Sequence, residues 1–148
     1  MALQSEAYGS EISGAELAPG AASFLTQCRV ANHDVFIVSH KTRTAAAAPG
    51  GVDLRQAALG WMDTKGFFST LSIGRNRIFF EDTRAAKCKR IGVLKCDVFV
   101  DDLVEVFVDP EFPPATDRIL LQSSGVPSTG PWRVFGSWPE IEGAIFGV

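Results

Sequence analysis

The chain has 148 residues, a hydrophobic fraction of 46% and a formal net charge of -3. This length supports one domain with its own core and is too short for two, while the mild acidity gives no global pull toward nucleic acid. Cys28, Cys88 and Cys96 are odd in number and lack metal-ligand spacing, which points to a reduced, cytoplasmic setting and not to a disulfide framework.

Residues 1–18 are small and polar, with no basic-then-apolar leader, and read as a flexible N-terminal arm. One domain then fills residues 19–148. No apolar run in it reaches membrane-span length, so no membrane partner is expected. Pro19 suits a helix start, and Ala21, Phe24, Leu25 and Cys28 recur at helical spacing on one face. After the turn Asn32-His33-Asp34, residues 35–38 (Val-Phe-Ile-Val) make a short buried strand. It leads into a cluster of donors, Ser39, His40, Lys41, Thr42 and Arg43.

Residues 44–51 are Ala-rich and end in Pro-Gly-Gly, which reads as a loop. Asp53 can cap a helix carrying Leu54, Ala57, Ala58, Trp61 and Met62, with Gly66 near its end. Ile78-Phe79-Phe80 is a third, very short strand. Asp82 or Thr83 caps the next helix, whose inner face takes Cys88, Ile91 and Leu94. Val98-Phe99-Val100 is a strand buried on both faces, with Asp101 and Asp102 directly behind it. A short apolar helix (103–107), a Pro-rich turn (109–114), a strand (118–121), a Gly/Ser/Pro loop (123–131) and one more extended piece (132–135) follow. Ser137 with Glu140 has the capping-box pattern and opens a last helix through Ile141, Ala144 and Ile145.

Helices alternating with short double-sided strands argue for a three-layer, mostly parallel α/β sheet covered on both faces. Such sheets place ligands at the carboxyl ends of the strands. Three polar groups fall there or at a helix start: Ser39, Lys87 and the pair Asp101-Asp102. A hydroxyl and an ammonium can hold phosphate oxygens, while carboxylates can hold a divalent cation. Taken singly, Ser39 reads as a turn residue, Lys87 as a solvated lysine and one of the acids as a helix cap. Together they are equipment for phosphoryl transfer, which relies on positioning and charge neutralisation.

In this order the groups resemble the haloacid dehalogenase-like (HAD) superfamily. Val-Phe-Ile-Val-Ser39 looks like its second motif, an apolar strand ending in a phosphate-binding hydroxyl. Lys87, in Thr-Arg-Ala-Ala-Lys, looks like the third motif's lysine. Val-Phe-Val-Asp101-Asp102 looks like the fourth, whose acids help hold Mg2+. The resemblance implies a Rossmann-like HAD fold, a small phosphorylated molecule or anion as ligand, Mg2+ as cofactor and Asp101 and Asp102 as its ligands. Phosphate contacts fall on Ser39, Lys87 and, by proximity, His40 and Arg84.

The superfamily's first motif is an apolar strand ending in Asp-x-Asp, whose first aspartate attacks phosphorus. Residues 1–18 hold no aspartate, and Glu6, Glu11 and Glu16 are their only acids. The expectation is therefore a phosphohydrolase-like fold without its nucleophile, inactive alone, with its central first strand missing. Two apolar strand edges would then face a gap, to be closed by direct pairing, by a strand from another chain or by rearrangement of the arm; a homo-oligomer follows from the second route. A first motif lying upstream or on another chain would instead make an Mg2+-dependent phosphatase, and a structural or interaction module is the third reading. The response-regulator receiver fold fails, because no lysine follows Asp102 and too little chain remains.

Overall fold

The computed structural model describes residues 2–3, 17–40 and 53–147. The Ala-rich stretch 44–51 and the donors Lys41, Thr42 and Arg43 lie outside the described residues, as does most of the N-terminal arm. Six strands form one sheet in the order β3-β2-β1-β4-β5-β6, and every pairing is parallel. They are β1 (Ala2–Leu3), β2 (Phe36–His40), β3 (Ile78–Glu81), β4 (Val98–Asp101), β5 (Asp117–Leu121) and β6 (Arg133–Phe135). The helices are α1 (Ala21–Val30), α2 (Leu54–Thr64), α3 (Arg84–Val93), α4 (Val104–Phe107) and α5 (Trp138–Phe146).

The strands are short and apolar because both of their faces are covered. Ile37, Val100 and Ile119 join a core built from Phe24, Leu25 and Cys28 of α1, Trp61 and Met62 of α2 and Ile141 of α5. Their immediate neighbours Val38, Phe99 and Leu120 point the other way, into a second core with Cys88 and Ile91 of α3 and Val106 and Phe107 of α4. Alternation with period two thus feeds two helical layers from one sheet.

Helix starts follow their caps. The Asp53 carboxylate accepts from Arg55 N at 3.0 Å and Gln56 N at 3.1 Å. The Thr83 hydroxyl accepts from Ala86 N at 3.0 Å, so Thr83 and not Asp82 is the cap of α3. The Ser137 hydroxyl accepts from Glu140 N, and the Glu140 carboxylate reaches back to Gly136 N at 2.6 Å. Gly20 precedes α1 with φ 85°, and a Cβ there would meet Pro139 Cδ at 2.6 Å. This close approach lets α1 and α5 pack side by side.

The central strand is not missing, which corrects the expectation from sequence. Ala2 and Leu3 pair with Phe36 and Ile37 of β2 on one side and with Phe99 and Val100 of β4 on the other. The edges of β2 and β4 are therefore paired within the chain, and the edge-driven reason for a homo-oligomer falls away. Two residues flanked by Met1 and Gln4 carry no periodicity, so pattern alone could not find them.

Smaller differences have local causes. β2 begins at Phe36 and runs on through Ser39 and His40, because these pair with Phe80 and Glu81 of β3. β4 likewise includes Asp101, opposite Leu120. Arg75–Arg77 form a single 3-10 turn directly before β3. Among the described residues no helix is long and apolar enough to cross a membrane.

Candidate functional site

In the sheet the strand order reverses between β1, which leads outward through β2 and β3, and β4, which starts the other half. A crevice at the carboxyl ends of such a pair is the usual ligand position in open α/β sheets. Register fixes what stands there. Ala2 is level with Phe36 and Phe99, and Leu3 with Ile37 and Val100. Carried one step on, the same register sets Val38 level with Asp101, the last residue of β4, with Ser39 next along β2. Two strand spacings, about 9–10 Å, separate β2 from β4 at this level.

Lys87 is fully buried, against its reading as a solvated residue when taken alone. Its Nζ lies 2.7 Å from Asp101 Oδ2, and both side chains have zero exposure. The other Asp101 oxygen, Oδ1, accepts from Leu103 N at 3.0 Å. Lys87 Nζ also lies 5.3 Å from the centre of the Phe99 ring. Lysine in the first turn of α3 opposes the helix dipole, and Asp101 supplies the compensating charge. Burial pushes the Lys87 pKa down, and the Asp101 carboxylate beside it pulls the other way. Burial likewise pushes Asp101 up to about 6, against the Lys87 ammonium and the Leu103 N–H, which favour its ionised form.

Ser39 is also completely buried, and its hydroxyl finds no hydrogen-bond partner among the described residues. Alternation turns Ser39 to the face of Ile37 and Phe80, away from the α3 side where Asp101 meets Lys87. The hydroxyl and the ion pair therefore flank the end of β1 from opposite faces. Asp102 is exposed. It lines a cleft of about 570 Å³ together with Pro19, Ser123, Ser124, Ser137 and Trp138.

The two remaining sequence candidates have partners of their own. His40 is exposed, and its Nε2–H donates to the Asp82 carbonyl at 3.0 Å. Arg84 Nε lies 3.5 Å from Asp109 Oδ2, beyond the end of α4. Sequence reasoning gave no role to Arg55, whose Nη2 contacts Asp82 Oδ1 at 2.5 Å. Asp82 thereby ties His40 and Arg55 together at the ends of β2 and β3. The signal in the sequence was Asp53-Leu54-Arg55, a capped helix start that places an arginine two residues after its cap.

Among the described residues no group of three or more His, Cys, Asp or Glu side chains gathers to hold a metal ion. Mg2+ keeps several waters and takes one or two carboxylates beside a ligand's phosphate oxygens. Asp101 offers no exposed surface for a hydrated ion, and an ammonium already stands 2.7 Å from one of its oxygens. Asp102 alone is exposed. The described donors do not fit an Mg2+ centre.

No protein-family model matches the chain, and neither does any curated protein sequence.

Proposed function

We propose that the chain is a HAD-like, Rossmann-like α/β protein that binds a phosphate-type anion over the carboxyl ends of β2, β1 and β4 and does not hydrolyse it. The observation that carries this reading is the buried Ser39 hydroxyl without a partner among the described residues. A buried polar group in that state calls for a ligand or an explanation. It stands at the strand end where the resemblance puts a phosphate-binding hydroxyl, two strands from the buried Lys87–Asp101 pair. Lack of turnover follows from sequence. β1 is the counterpart of the superfamily's first strand, and the residues after Leu3 are Gln4, Ser5 and Glu6, with no Asp-x-Asp.

Titration of the labelled chain with inorganic phosphate, read by amide shifts, tests the reading. Perturbation centred on residues 38–40 and 101–103 is expected, with binding weakened about tenfold in Ser39→Ala, the loss of one hydrogen bond to a charged group. Equal affinity in Ser39→Ala contradicts it. A second reading, a structural module with no anion site, is favoured by one observation: Asp101 already neutralises the Lys87 charge. Absence of any phosphate-induced shift leaves that reading standing.

A further inference from the structure

We infer that Lys87 takes the place of a divalent cation as the counter-charge of Asp101, so that this chain binds its anion without Mg2+. Both side chains are sealed from solvent and touch at 2.7 Å. The remaining carboxylate oxygen is held by Leu103 N–H at 3.0 Å, which fixes the carboxylate's orientation from its own backbone. A second cation brought to Asp101 would meet the Lys87 ammonium at the same group, and like charges in a desolvated site repel strongly. The Lys87 charge in turn is balanced by Asp101 and is not free to act at full strength on an anion. Asp101 therefore tempers anion binding, where a metal ligand would promote it.

The sign of one substitution separates these two roles. Asp101→Asn keeps an oxygen for Leu103 N–H and removes the negative charge. If Asp101 is only the partner of Lys87, inorganic phosphate binds Asp101→Asn more tightly than the parent chain, on the order of tenfold. If Asp101 carries Mg2+, the same change weakens binding in the presence of Mg2+. A cation arm uses the unaltered chain, so it does not depend on the variant folding. Mn2+ added to the labelled chain should leave the amides of Val100 to Leu103 no broader than those beside exposed acids elsewhere. The phosphate affinity should agree within about twofold between Mg2+ and a chelator. Selective broadening at Asp101, or affinity raised tenfold by Mg2+, overturns the inference. The phosphate arm rests on the anion-binding reading above and the Mn2+ arm does not. If phosphate fails to bind at all, that reading falls while Mn2+ still decides the role of Lys87.

Discussion

Lys87 and Ser39 are both buried polar residues, yet their removal should have opposite consequences. Lys87→Ala leaves the buried Asp101 carboxyl without its partner, and should cost about 3–5 kcal/mol in urea unfolding. Replacing both members of the pair, Lys87→Met with Asp101→Leu, should recover most of that loss. Ser39→Ala deletes a hydroxyl that lacks a partner among the described residues, so the unliganded protein should be unchanged or stabilised by up to ~1 kcal/mol. A large loss in Ser39→Ala would mean that its hydroxyl is satisfied in the folded state. The thiols give a pH dependence. Burial pushes Cys28 and Cys88 from 9.0 up to about 11. Between those values the folded chain holds protons that the unfolded chain has released, so stability falls as pH rises from 9 to 11. Each thiol contributes at most ~3 kcal/mol to that fall, and the urea midpoint of Cys88→Ala should decline less steeply over the window. At this scale the sequence located the polar groups through their positions behind apolar runs. It could not show that Lys87 is buried, because the cause, Asp101, lies fourteen residues away across the α3–β4 connection.

Elements were legible where their signals are local. Asp53, Thr83 and Ser137 stand before helical spacing and cap the helices they precede, and each double-sided apolar run became a parallel strand. Asp53→Ala should cost about 1 kcal/mol, from the loss of its bonds to Arg55 N and Gln56 N. Gly20→Ala should cost more than 1 kcal/mol, since φ 85° and the Pro139 ring both resist a Cβ. Loss of that magnitude should be absent at Gly60, where a Cβ would meet nothing within 4 Å. Elements without a local signal were missed. Phe67, Leu71 and Ile73 belong to the first core but sit in irregular chain after α2, with no period to betray them. β1 is the plainest case, since its two residues gain their identity only from the strands on either side. Leu3→Pro removes a ladder donor from the centre of the sheet and should cost about 3 kcal/mol or more; an unchanged unfolding midpoint would show that β1 does not contribute.

For the molecule as a whole, the six-stranded parallel sheet is continuous from β3 to β6, and the expectation of a hole in its middle was wrong. Ala2–Leu3 fills the place, so what the proposed HAD likeness lacks narrows from a strand to the acids that should follow it. A parallel sheet needs its central strand for cohesion, whereas an attacking carboxylate contributes nothing to packing. The two can therefore be separated, and on the proposed reading the sheet is complete without the chemistry. The most direct test is a 31P spectrum of a simple phosphate monoester mixed with the chain and Mg2+. The expected result is a broadened or shifted monoester resonance and no growing line of free phosphate. A phosphate line that grows with time, and that vanishes in Asp101→Asn, would contradict the account.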